Sequence, residues 1–299
     1  MTINIDIHAD DFGYSLNTSK DIIECIKNKS INSISLMTNM NAFIESVDLL
    51  YKEIPSFDYL PLMSVHLNFP EGNIDEKDLP CSWGKLFISS YSFKRKTIKE
   101  ELKREIKRQI EKANEVINKC MEIASKNNVP YKQKGIRIDS HVHTHLIPVV
   151  WDSLVEVIEE EKYNIEYIRN PKEPILPFIN YLGLGYGLAN FLKNRILMLY
   201  SKKVDDYQEK HNMNKMYMWG LMMSGHMDFD RIKTLYKDFY DYANKKDRNL
   251  EILFHPGFAL KEEYTEEMNK DYFENANSSD NRKIEKEAVL KLNELTSKE

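Results

Sequence analysis

Cysteine is scarce in this chain: Cys25, Cys81 and Cys120 stand far apart among 299 residues, and no two form a C-x-x-C pair. That excludes a disulfide framework and a thiolate zinc cluster. Cys25 and Cys120 fall within amphipathic helical patterns and read as buried apolar residues. Glycine and proline number only ten each, too few for a disordered or low-complexity chain. No apolar run approaches the ~18 residues that a membrane span requires. The opening Met1-Thr2-Ile3-Asn4-Ile5-Asp6 lacks the basic and apolar regions of a secretory leader. A cytoplasmic protein without membrane contact is the expectation. Neither sign of charge dominates, since 42 Lys and Arg against 47 Asp and Glu leave a net -5. Such a balance argues against nucleic-acid binding by phosphate neutralisation. The lysines between Lys99 and Lys112 alternate with glutamates and read as a solvated helix face.

What is present is ample core material, 42% hydrophobic residues, arranged as strands alternating with helices. Ile3, Ile5 and Ile7 alternate with polar residues and predict a strand, ended by Asp10-Asp11-Phe12-Gly13. A helix follows, capped by Ser15 or Asn17, with Ile22, Ile23 and Ile26 on its inner face. Further strands are expected over 31–37, 60–67, 135–139, 165–169, 216–222 and 250–254. Helices are expected over 42–50, 97–127, 149–160, 188–200, 229–243 and 284–295. Residues 70–92 read as a loop, and Pro171, Pro174 and Pro177 forbid a simple helix at the start of 171–215. The alternation implies parallel strands joined by helical crossovers. With no linker or repeat, the expected fold is α/β, a single domain over 1–299. It is a distorted (β/α) barrel of about seven parallel strands with its active site at the C-terminal rim.

The eight histidines sort unevenly, most standing at or just past a predicted strand end. Asp10-Asp11 places two repelling carboxylates together, which suits chemistry, although a helix N-cap pair is the alternative. His66 ends a strand and could equally be a core histidine. His141, His143 and His145 would project to one side with a strand's two-residue period. Three neutral imidazoles there suit a divalent metal. His255-Pro256-Gly257 ends another strand, and Pro-Gly turns the imidazole across the rim. His226, in Ser224-Gly225-His226-Met227, either reaches the rim or holds a loop. His8 reads as lining the barrel interior and His211 as surface. Trp83 offers a stacking face for a ligand ring.

Asp10-Asp11-Phe12-Gly13, His66-Leu67-Asn68, Ser140-His141-Val142-His143-Thr144-His145 with Pro148, Gly225-His226-Met227 and His255-Pro256-Gly257 together resemble the YdjC-like carbohydrate deacetylases, in that family's order. The motifs span residues 3 to 257. Ser224 stands where a threonine is usual, and residues 172–215 match nothing in the pattern. The resemblance implies a metal-dependent hydrolase that removes an acetyl group from an N-acetylated mono- or oligosaccharide. It implies Asp11, His66 and His141 as metal ligands, Asp10 as base and His255 as general acid. Arg169 is implied as the partner of the base. His143, His145, Asn68, His226 and Trp83 are the candidates for substrate contact. Zinc or magnesium is the expected ion, and cobalt, manganese or nickel also suit such a site. A homodimer is compatible with the resemblance. Three rivals stand beside this reading: another metal-dependent barrel amidohydrolase or phosphoesterase, a non-haem iron oxygenase, and a catalytically silent sugar-binding relative. The first usually opens on a His-x-His strand and the second on an all-β jelly roll, neither of which this sequence has.

Overall fold

In the computed structural model residues 3–292 are described, apart from 77–78, 80–81 and 185–187; Cys81 and residues 293–295 of the expected closing helix lie outside the described residues. The seven expected strands are present: β1 (Ile5–Phe12), β2 (Ser33–Leu36), β3 (Leu62–Leu67), β4 (Ile136–Ser140), β5 (Ile165–Ile168), β6 (Met216–Trp219) and β7 (Asn249–Phe254). All pair in parallel, in the order β5-β4-β3-β2-β1-β7-β6. Around them run α1 (Leu16–Lys27), α2 (Phe43–Glu53), α3 (Trp83–Ser89), α4 (Arg95–Lys126), α5 (Pro148–Glu161), α6 (Leu188–Lys210), α7 (Phe229–Lys245), the single turn α8 (Lys270–Tyr272) and α9 (Asp280–Lys291). Two segments differ from expectation. α3 lies inside the stretch read as a loop, and α6 runs ten residues beyond the helix expected there.

The sheet is curled. Tyr167 on β5 donates a hydrogen bond to Glu251 on β7 at 2.8 Å, although β7 lies five places along the sheet. In a flat sheet that separation would be about 24 Å. The period-two alternation on the strands is the reverse of a water-facing sheet's: apolar side chains such as Ile7, Ile34, Val65 and Ile138 pack outward and are buried. The polar ones point into the barrel. Within it Asp6 pairs with Arg137, His8 contacts Ser33 and Ser35, and Ser35 donates to Asp139. A buried charge is tolerable only when paired, and this interior is paired strand to strand.

β5 and β6 stand at the two ends of the order, and the seam between them is spanned by the segment after β5. Met218 donates its N–H to the Lys172 carbonyl at 3.1 Å. The buried Glu173 carboxylate accepts N–H groups of Gly220, Leu221 and Met222 at 2.8, 3.1 and 2.8 Å. The lysine row of α4, expected to face solvent, lies at the surface beside α5. Arg95, Lys99, Lys103 and Lys107 pair with Asp152, Glu156, Glu160 and Glu161. The four-residue spacing of the basic side chains puts them on one face, and the acidic end of α5 lies opposite. Among the described residues no helix is long and apolar enough to cross a membrane.

Candidate metal centre

β1 does not stop at the aspartate pair; it runs on to Phe12, with a shift of register between Ala9 and Phe12 and a φ of 71° at Asp11. In a regular strand successive side chains face opposite ways. The bulge turns both Asp10 and Asp11 into one cavity of about 360 Å³ at the C-terminal ends of the strands. The positive φ of a non-glycine residue is strain held by the surrounding fold.

Asp11 Oδ1 lies 3.5 Å from His66 Nε2 and 3.4 Å from His141 Nδ1. These three buried atoms lie close enough to share one ion. The other nitrogen of each imidazole meets a carboxylate. His66 Nδ1 donates to Asp139 Oδ1 at 2.6 Å, and His141 Nε2 is 3.0 Å from Glu71 Oε1. Carboxylates so placed fix the tautomer and direct the remaining lone pair at a metal. Asp11 Oδ1 and His66 Nε2 are both buried without a hydrogen-bond partner among the described residues. Orphaned acceptors facing one point are costly unless something fills it, so the donor set fits a divalent cation. Burial opposes ionisation of Asp11, but His141 and Arg282 outweigh it and hold the carboxyl well below its ordinary range. Burial also disfavours the charged form of His141, and the Asp11 and Glu71 carboxylates reverse this, raising it to about 9.

Asp10, beside the triad, is gripped by Arg169 through two parallel hydrogen bonds of 2.9 Å. Arg169 also pairs with Glu251 at 2.5 Å. Burial would raise Asp10, but the guanidinium and neighbouring imidazoles hold it well below the usual carboxylate range. On the far wall His255 is half-buried; Glu285 accepts its backbone N–H at 2.7 Å and stands 3.6 Å from its Nδ1. Arg282, also on α9, donates to Asp11 Oδ2 at 3.1 Å.

The three histidines expected to share a face do not. β4 ends at Ser140, and His141–Leu146 coil into tight 3-10 turns with φ of 46° at Val142 and 56° at His143. Ser140 Oγ accepts the N–H of His145 at 2.9 Å, which folds the chain back and breaks the two-residue period. His141 therefore meets Asp11 and His143 lines the cavity wall. His145 is buried behind the wall, contacting Ser140 Oγ and donating Nε2–H to the Arg169 carbonyl at 2.9 Å. Burial pushes His145 down to about 3. Asn68 is buried and donates to Asn39 Oδ1 and the Glu71 carbonyl, clamping the loop that carries Glu71. His226 is exposed. Trp83 stacks on Phe87 and lines a second cavity that adjoins the first.

Asp139, Glu71, Arg282 and Glu285 were not singled out from the sequence. Asp139 had a signal, because Arg137 and Asp139 alternate with isoleucines in a buried strand. Glu71 lies in a polar loop and the other two on a charged helix, where nothing local marks them.

A family model described as YdjC-like protein matches residues 4–119 and 136–294. Among curated proteins, a carbohydrate deacetylase of Danio rerio is 24% identical over 184 residues, covering 60% of this chain and 53% of its own length. One from Brevibacillus brevis is 27% identical over 161 residues, 54% of this chain and 58% of its own. The alignments thus span little more than half of these relatives. A crystal structure from Enterococcus faecalis, provisionally described as a cellobiose-phosphate cleavage protein, superposes with a TM-score of 0.51. It is 15% identical, with 97% of this chain and 91% of that one covered, a likeness of fold alone.

Proposed function

Because this chain belongs to the YdjC-like protein family, we propose that it is a metal-dependent carbohydrate deacetylase that hydrolyses the acetamido group of an N-acetylated amino sugar. The observation that carries the reading is the convergence of Asp11 Oδ1, His66 Nε2 and His141 Nδ1 beside an arginine-gripped Asp10 in one cavity. The carbohydrate deacetylases among the relatives point to the same reaction.

Asp11, His66 and His141 would hold the metal. A divalent ion there supplies Lewis acidity, polarising the acetamide carbonyl and making water easier to deprotonate. Asp10 is the base. Its charge is secured by Arg169, so it enters the reaction ionised and takes a proton from the attacking water. The two guanidinium bonds also fix its direction, and a base must be within hydrogen-bond reach of its proton. His255 gives a proton to the departing nitrogen, without which amine expulsion stalls. Glu285, 3.6 Å from Nδ1, orients that imidazole. Asp139 and Glu71 would accept the N–H on the far side of the two ligand histidines, leaving the other ring nitrogen of each directed at the metal.

The test is incubation of the full chain with N-acetylated mono- and oligosaccharides in the presence of zinc, cobalt, manganese or magnesium. Mass loss of one acetyl group and stoichiometric acetate are expected. Asp10→Asn should lower the rate about 10²–10⁴-fold with metal content unchanged. A variant that stays active, or acetate never released from any amino sugar, would sink the proposal.

A further inference from the structure

Next to the metal cavity lies a larger one, about 560 Å³, walled by Pro70, Trp83, Leu192, Ile196 and Leu197. The two share Val142, Lys193 and Tyr272, so they are parts of one cleft. The second part is a poor sugar site. Of its polar lining residues, three already accept hydrogen bonds or ion pairs: Ser82 Oγ accepts from Lys85 N, Asn269 Oδ1 from Tyr272 N, and Glu71 holds His141 and the Asn269 N–H, which leaves Lys193 and Tyr272 at the junction with the metal cavity. A second pyranose ring would bring hydroxyls with few acceptors to meet them, and unpaired hydroxyls are costly against apolar walls. Hydrocarbon has no such penalty.

The apolar surface also continues out of the cleft. Leu192, Ile196 and Leu199, at i, i+4 and i+7 on α6, are 53, 44 and 78% exposed. They run towards the ring contact between Phe87 and Tyr200, beside which Ile88 is 69% exposed. Exposed apolar tracks of this kind mark binding surfaces. Lys193 stands at the junction of the two cavities, with no carboxylate partner among the described residues, where polar and apolar portions of a ligand would meet.

We infer that the substrate is amphiphilic: an N-acetylated amino sugar bearing a hydrocarbon chain, the acetamide at Asp11, His66 and His141 and the chain between Trp83 and α6. This rests on the deacetylase reading and narrows its substrate class. Continuity with the reaction cavity selects the occupant, because the two cavities share Val142, Lys193 and Tyr272 and a chain attached to a sugar at the metal has this apolar cleft directly beside it.

The experiment uses the full chain and alkyl glycosides of N-acetylglucosamine from methyl to octyl, below their micelle concentrations. Affinity by calorimetry and acetate release by mass spectrometry are measured together. Affinity is expected to rise up to about fourfold per added methylene until the cavity is full. Ile196→Ser and Trp83→Ala should flatten that slope. Leu199→Ser, at an exposed position where folding is not at stake, should flatten it for the longest chains only. A flat wild-type series overturns the inference. So does a slope that survives all three substitutions, or a shift in molar mass with Ile196→Ser at an unaltered slope, which would make the track a self-association surface. A slope in affinity with no acetate from any glycoside would instead count against the deacetylase reading and leave the hydrocarbon site standing.

Discussion

Asp139 carries more of this site than its place outside the proposed ligand set suggests. It accepts a hydrogen bond from His66 Nδ1 and another from Ser35, and it lies 3.3 Å from Arg169, so one carboxylate ties a proposed ligand histidine to the arginine that holds Asp10. Asp139→Asn keeps the shape but removes the charge that fixes the tautomer. Divalent-metal affinity should fall about 10–100-fold, read by isothermal titration; unchanged affinity would place the tautomer's control elsewhere. At this scale much was legible. Asp10, Asp11, His66, His141 and His255 stand at strand ends, and a strand's period and length are local properties. The orientation of each side chain was not legible. The bulge at Asp11 and the left-handed residues Val142 and His143 are conformations that those residue types seldom adopt and that no residue pattern announces.

Among the elements, the seam between β5 and β6 depends on one side chain. Glu173 joins the segment after β5 to the loop after β6, and Asn194 on α6 adds a fourth donor at 3.3 Å. Burial pushes its carboxyl up to about 7, the N–H donors offsetting only part of the desolvation. A carboxyl raised in the fold above its ordinary 4.5 favours folding fully below that value. The contribution is lost as pH climbs through 7. Wild type should therefore lose roughly 2–3 kcal/mol between pH 5 and pH 8 relative to Glu173→Gln. Denaturant unfolding of both proteins across that range measures it, and parallel curves would mean that Glu173 does not titrate there. The prolines of 171–177 warned against a helix in this stretch. Its service as a bridge across an incomplete barrel was invisible, because Lys172 and Met218 meet only once the sheet has curled.

For the molecule as a whole, the candidate metal site joins the first strand, the middle strands and, through Arg282 and Glu285, the last helix. An ion bound only by the folded chain stabilises all of these together. At one hundred times its dissociation constant the gain is about 2.7 kcal/mol, or about 5 °C in Tm for a chain of this size. Thermal unfolding with and without zinc, cobalt, manganese and magnesium should show that rise for the native ion, reversed by a chelator and missing in Asp11→Ala. No shift with any of them would mean that the three side chains do not form an ion site. The sequence by itself determined the parallel α/β architecture and the placing of the reactive residues at strand tips, since both follow from short-range periodicity along the chain. Only the tertiary structure decided which histidine faces Asp11, which carboxylates stand behind the ligands and that the polar alternation points inward. Those contacts join residues from 70 to 271 positions apart, and the curvature that brings them together is a property of the assembled sheet.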